Sequence, residues 1–413
     1  MVRKIIFCLI IVYLLKGSVV YAQTDPVISA IINSISIDSL YENLRELTGE
    51  KSVLLSNGNA FISSRSYSDD GNLLAEEYLQ MRLQKYGLNS SIQRFNGGGG
   101  NIIGIQLGKK KPNQKIIICA HFDNRPYTGS APGADDNGSG TSAVLEAARV
   151  LSKLETNYTI VYALWDNEET GLNGSSYYAQ QAGSERDSII AVINMDMIGW
   201  DSDNDNLAEI HSRNVSNSNQ LAGKMVNVND LYGIGLNLVL INPGIPNSDH
   251  SSFWNYNYSA ILLIENYSSI NGKRDFNAYY HTSNDALQFI NKPFFEKCAK
   301  LSIATLANYS KLQTINSEEK TIPSTFSLHQ NYPNPFNSST IIKYSLITGT
   351  YVKLVVYDVL GREVATILDT YKSPNNYEIK FDTEKYGALT SGIYFYALYA
   401  GSNLIVRKMV LAK

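Results

Sequence analysis

Residues 116–123 read Ile116-Ile117-Ile118-Cys119-Ala120-His121-Phe122-Asp123, an apolar run that ends on an imidazole and a carboxylate. A continuous run of this kind suits a strand covered on both faces, and it delivers His121 to the strand's C-terminal end. The pattern recurs. Residues 159–165 lead into Glu168-Glu169, residues 189–195 lead into Asp196, and residues 260–264 form a fourth run. Stretches with helical spacing lie between them at 141–154, 172–181 and 220–226. This alternation predicts an α/β sheet with both faces covered, and its polar residues gather at the strand ends, where open α/β sheets bind ligands.

Just downstream of the first run, residues 132–140 read PGADDNGSG and open into an apolar-periodic helix. Two adjacent carboxylates between glycines do not suit a packed core, so they answer to solvent, a cation or a substrate. Amphipathic helices are expected at 38–47 and 72–86, and a long closing helix at 294–312. Strand-like residues 91–95 and 101–107 flank Asn96-Gly97-Gly98-Gly99-Gly100. Because a second strand follows rather than a helix, this stretch reads as a hairpin and not as a phosphate loop.

The chain has 413 residues, 44% hydrophobic and 18% charged, with a formal net charge of -3. That balance is globular, and it lacks the basic footprint that nucleic-acid binding needs. Residues 1–22 have a basic start, an apolar run at 5–15 and the small-residue site Val20-Tyr21-Ala22, which reads as a secretory signal. The run is too short for a stable membrane span. Cys119 and Cys298 then remain, both in apolar surroundings, and read as buried thiols rather than a bridge. The expected division is a large α/β domain at 23–314, a linker at 315–325, and a small antiparallel β-sandwich at 326–413. The last reading rests on short alternating runs separated by turn residues.

Three of the five histidines, His121, His250 and His281, sit in acid-containing loops of the first domain. Zinc takes His and carboxylate ligands, and one Asp can bridge two metals because it has two oxygens. Adjacent acids such as Glu168 and Glu169 can divide the work, one binding metal and the other acting as general base. Asp123, two residues along from His121, would emerge on the same side and accept the imidazole's other proton.

His121-Phe122-Asp123, residues 132–140, Asp166 to Leu172 with Gly174-Ser175, Asn194 to Gly199, Ser248-Asp249-His250 and His281-Thr282 with Asp285 occur in the order found in zinc aminopeptidases. The chain from about Leu40 to Leu312 thus resembles the bacterial leucyl aminopeptidase and glutamate carboxypeptidase type, a family that also includes glutaminyl cyclases. The resemblance implies a mixed, mostly parallel sheet covered by helices on both faces, and two zinc ions per chain. It makes Asp136 the bridging ligand, with Glu169 and His281 completing one metal, and His121 and Asp196 the other. Glu168 matches the general base and Asp123 the acid that orients His121. The implied reaction is hydrolysis of N-terminal residues from peptides through a metal-bridging hydroxide. The peptide after the bridging Asp is typically cis in this family. The residues around His250, Phe253 and Trp254 are expected to contact the substrate's first residue. One departure is Ile245, where some members carry a Tyr that assists the carbonyl oxygen; Tyr267, Tyr279 and Tyr280 are the candidate substitutes.

Leu328 to Asn337 (LHQNYPNPFN), Val356 to Val364 (VYDVLGREV), Ser391 to Tyr394 and the closing Lys408-Met409 resemble the type A sorting domain of type IX secretion. That resemblance implies export through the periplasm, engagement of the type IX machinery, and release of the enzyme or its retention at the cell surface. Two other enzyme readings share the peptidase fold. A glutaminyl cyclase would use one zinc, and a carboxypeptidase would use Arg125 or Arg274 to hold the substrate carboxylate. A metal-free binding module is the non-enzymatic alternative.

Overall fold

In the computed structural model the described residues are 24–125, 132–270, 272–311, 325–347, 350–372, 375–387, 389–401 and 403–413. The expected secretory signal at 1–22, and all but the last residue of the expected linker at 315–325, lie outside them. The chain separates into two compact units, divided between Ile315 and Asn316.

The first unit opens with α1 (Pro26–Ser34), α2 (Ile37–Leu47), a hairpin of β1 (Val53–Leu55) and β2 (Gly58–Ala60), and α3 (Asp70–Lys85). Its main sheet has β3 (Asn89–Arg94), β4 (Gly100–Gln106), β5 (Lys111–His121), β6 (Tyr158–Trp165), β7 (Ser188–Met195), β8 (Leu207–His211), β9 (Asn237–Ile241), β10 (Ala260–Ile270) and β11 (Lys273–Asp275). The spatial order is β3-β4-β6-β5-β7-β10-β8-β9, with β11 paired to β10. The central strands β6, β5, β7 and β10 are parallel, and β8 is parallel to β9. The β3–β4, β4–β6, β10–β8 and β10–β11 pairs are antiparallel, so the sheet is mixed. Residues 95–99 turn β3 back into β4, with Gly97 at φ +108° and Gly98 at φ +91°, angles that glycine adopts without strain.

The remaining helices are α4 (Gly140–Leu151), α5 (Asn173–Ser184), α6 (Ser218–Tyr232), α7 (His250–Trp254) and α8 (Lys292–Ser310). Because side chains alternate along a strand, Ile116, Ile118 and Ala120 of β5 face the layer of α4 and α8, while Ile117 and Cys119 face α5 and α7. All five are fully buried, which is why the sequence shows a continuous apolar run. Asn291 caps α8 by accepting from Phe294 N, with Pro293 in the first turn. Cys119 and Cys298 are buried free thiols. Among the described residues no helix is long and apolar enough to cross a membrane.

β10 runs six residues past the apolar stretch that announces it, through fully buried Glu265 to Ile270. Its extension is held by β11, and polar Glu265 and Asn266 disguise it. β8 is disguised in the same way, because buried Glu209 and His211 pair with each other at 2.8 Å.

The second unit holds two antiparallel sheets. One is β12 (Ser327–Leu328), β13 (Ser339–Leu346) and β16 (Asn375–Asp382); the other has the order β15-β14-β17-β18, from β14 (Thr350–Tyr357), β15 (Glu363–Lys372), β17 (Gly392–Ala400) and β18 (Asn403–Leu411). Leu354, Val356, Phe381, Tyr396, Leu398 and Met409 fill its core.

Candidate metal centre

Four C-terminal strand ends and the loops after them converge on one cleft of about 1340 Å³. β5 ends on His121, β6 runs into Glu168 and Glu169, and β7 ends one residue before Asp196. Asp136 comes from the segment Ala134–Ser139 ahead of α4, and His281 from the loop after β11. The Asp136–Asn137 peptide is cis.

Asp136 stands between the two imidazoles. Its Oδ1 is 3.5 Å from His121 Nε2 and its Oδ2 is 3.2 Å from His281 Nε2. Asp196 Oδ1 lies 3.3 Å from His121 Nε2, and Glu169 Oε2 lies 2.8 Å from His281 Nε2. Two donor groups result, His121 with Asp196 and Glu168, and His281 with Asp136 and Glu169, each with its donor atoms within 4.8 Å of one another. All six residues line the cleft.

Buried hydrogen bonds fix these positions. His121 Nδ1 lies 3.1 Å from the Asp123 carbonyl oxygen and 3.5 Å from its Oδ1, which turns Nε2 toward Asp136 and Asp196. The Asp123 carboxylate accepts instead from the backbone N–H groups of Glu168 (3.1 Å) and Glu169 (3.2 Å), so it orients the β6 loop as well as the imidazole. Asn137 donates to Met195 O at 2.9 Å, and Thr141 Oγ1 donates to His121 O at 2.8 Å. Asp285 accepts from the backbone N–H groups of Asp135 and Asp136. Gly133 sits at φ +60°, and a Cβ there would meet Asp136 O at 2.6 Å.

Arg65 is the principal residue that sequence patterns miss. It is fully buried and donates to the carbonyls of Leu47, Phe122, Pro132 and Gly133 at 2.6–2.7 Å, tying the His121 loop to the Asp136 loop. Burial lowers its guanidinium to about 10 against the pull of Asp285, Asp136, Asp123 and Glu169. An isolated Arg in the polar stretch Ser63–Ser68 carries no signal of this role.

The electrostatics call for cations. Burial, and then the Asp136 carboxylate, push Glu169 up to about 11, and its buried Oε1 has no hydrogen-bond partner. Glu168 is raised well above its ordinary value by burial, with Asp249, Asp196 and Glu169 adding to the rise and His121 opposing it. Burial alone would lower His121, yet Glu168 and Asp196 hold it well above the usual range, so the field there favours positive charge. Imidazole nitrogens and carboxylate oxygens are a donor set that suits zinc.

His250, Phe253 and Trp254 do not reach the cleft, which corrects the expectation that they contact substrate. All three are buried; the His250 ring sits edge-on to Trp254, and Phe253 packs against Trp165 on the far face of the sheet. α7 covers an apolar layer there, whereas Ile245, Pro246, Asn247 and Ser248 just before it line the cleft. Arg125 and Arg274 line it too, but they donate to Glu169 O (3.2 Å) and Tyr267 O (2.6 Å). Tyr267 and Tyr280 also border it.

Residues 101–306 match the model of peptidase family M28, and residues 330–412 match that of the secretion system C-terminal sorting domain. The chain is 26% identical over 243 residues to a probable zinc metalloprotease of Pyrenophora teres f. teres, covering 50% of each. It is 30% identical over 213 residues to aminopeptidase YwaD of Bacillus subtilis, covering 50% of this chain and 44% of that one. The chain thus spans about half the length of these curated relatives. Its fold matches the crystal structure of the Legionella pneumophila LapA aminopeptidase with a TM-score of 0.59 at 24% identity, over 72% of this chain and 78% of that one. The first unit of this chain belongs to peptidase family M28, and the second is a C-terminal sorting domain of a secretion system.

Proposed function

We propose that the chain is a secreted aminopeptidase that holds two zinc ions and removes N-terminal residues from peptides. The observation that carries this reading is the Asp136 carboxylate, with one oxygen toward His121 and the other toward His281. His121 and Asp196 would hold one ion, Glu169 and His281 the other, and Asp136 both. When bound, zinc lowers the pKa of water and polarises a scissile carbonyl. Glu168, facing the cleft, takes the proton of the attacking water and returns it to the leaving amine. Asp123 holds the backbone of Glu168 and Glu169 in place for this. The excess of carboxylates at the cleft floor suits a substrate α-ammonium group better than a substrate carboxylate. Met197, Ile245, Leu262 and Ile264 offer an apolar wall for the first side chain. The sorting domain supports passage through the periplasm and across an outer membrane by the type IX machinery.

Hydrolysis of aminoacyl-anilides, beside short peptides with acetylated N-termini and free C-termini, tests the reading. Cleavage confined to free amines is expected. Cleavage of blocked peptides from their C-termini would replace it with the carboxypeptidase reading.

A further inference from the structure

The segment that joins β7 to β8 contains Asp201-Ser202-Asp203-Asn204-Asp205-Asn206, with a carboxylate at every second position. One oxygen from each of Asp201, Asp203 and Asp205 lies within 4.8 Å of the others. Each acid also accepts a backbone N–H inside the loop: Asp201 Oδ2 from Asn206 (3.3 Å), Asp203 Oδ1 from Asp205 (3.2 Å) and Asp205 Oδ1 from Leu207 (2.8 Å). Those bonds shape the loop without accounting for the second oxygens. Asp203 and Asp205 are exposed and can hydrate theirs.

Asp201 cannot. It is only 6% exposed, and its Oδ1 is buried with no hydrogen-bond partner. An unpaired buried carboxylate oxygen beside two like charges is unfavourable unless something positive meets it. Asp275 adds a fourth negative charge, but its oxygens are already taken by Trp200 Nε1, Ser202 N, Ser202 Oγ and Asp203 N. Lys297, close at hand, donates to Asn206 Oδ1 and Gly235 O rather than to a carboxylate.

The chemistry of the donors selects the cation. The loop offers carboxylate oxygens and no His or Cys, which suits a hard ion rather than zinc. Calcium accepts irregular sets of six to eight oxygens completed by water, whereas magnesium demands near-octahedral geometry and gives up water reluctantly. We propose that Asp201, Asp203 and Asp205 form a calcium site. The loop is tied to both halves of the candidate zinc centre. Gly199 N donates to Asp135 Oδ1 beside Asp136, and Trp200 sits edge-on to Tyr279, two residues before His281. Calcium therefore fastens the strand that delivers Asp196 to the segment that delivers His281. With two of three acids open to solvent, affinity falls in the range of extracellular modules, Kd about 10⁻⁴ to 10⁻³ M.

All three tryptophans, Trp165, Trp200 and Trp254, lie in the first unit, so tryptophan fluorescence reports its melting alone. The test melts the zinc-loaded full chain in 0–10 mM calcium and, separately, in magnesium, and follows terbium luminescence excited through tryptophan. Calcium is expected to raise Tm by roughly 3 °C at 10 mM, to exceed magnesium, and to displace luminescent terbium. Asp203→Asn with Asp205→Asn keeps the acceptor oxygens of the loop and should abolish both effects. Trp200→Phe should keep the calcium shift and lose most of the terbium signal. No calcium shift in the parent chain, an equal shift with magnesium, or an undiminished shift in the double variant would overturn the proposal. Terbium displacement in the parent chain decides the matter even if the double variant does not fold.

Discussion

Glu168→Gln isolates the proposed base from the proposed ligands. Glu168 is anchored through its backbone N–H to Asp123 Oδ1 at 3.1 Å, while its neighbour Glu169 turns to His281 Nε2 at 2.8 Å. Yet a Glu168 oxygen also lies within 4.8 Å of donor atoms of His121 and Asp196, so the same side chain could instead be a metal ligand. The two roles separate cleanly in the variant. Glutamine keeps the size and the backbone bond but cannot take a proton. General base catalysis supplies roughly 10²- to 10⁴-fold, so kcat should fall by that factor, about 3–5 kcal/mol in the barrier. KM should stay within a few-fold, since the residues proposed to hold the substrate are untouched. Zinc measured on the same sample should remain at the parent value. Steady-state kinetics on an aminoacyl-anilide, paired with elemental analysis, gives both numbers. Loss of zinc in step with activity, or activity within tenfold of the parent, would refute the assignment of Glu168 as base.

Other perturbations probe the frame. Arg65→Met removes a buried cation from four carbonyls and should destabilise the first unit by at least ~3 kcal/mol in denaturant unfolding. A loss below ~1 kcal/mol would show that the carbonyls find other donors. His250 tests pH dependence: burial lowers it to about 3, from about 6.5 in an unfolded chain, so the folded state favours the neutral ring. Stability from this group is complete above pH 6.5 and is lost as pH falls toward 3. Between pH 7 and 5 the parent should lose about 2 kcal/mol relative to His250→Phe. A difference that does not change with pH would contradict the burial argument. Asp285→Ala frees the backbone N–H groups of Asp135 and Asp136 and should weaken zinc retention against a chelator, while a substitution at exposed Glu185 should not.

Much of the site was legible because its residues punctuate regular elements. The apolar runs before His121, Glu168 and Asp196 belong to strands buried on both faces, and each polar residue marks the end of one. Asp136 was legible as half of an acidic pair flanked by glycines. Arg65 was not, because its role arises from contacts between segments far apart in sequence. Arg65 meets carbonyls 18 to 68 residues away, and nothing in a polar stretch announces that. The error over His250 has a similar origin. A His beside an Asp in a loop suggests a substrate contact, but the five-residue α7 turns that His toward Trp254 and the apolar face of the sheet. β8 and the end of β10 carry no strand signal in the sequence because their buried acids break the apolar pattern that marks the other strands.

The central claim is that Asp136 joins two zinc ions. Anomalous diffraction at the zinc edge, from crystals of the zinc-loaded protein, tests it directly. The account predicts two peaks roughly 3.5–4 Å apart on either side of the Asp136 carboxylate, one beside His121 and Asp196 and one beside Glu169 and His281. A single peak, or two peaks with Glu168 in place of Asp136 as the shared ligand, would contradict it.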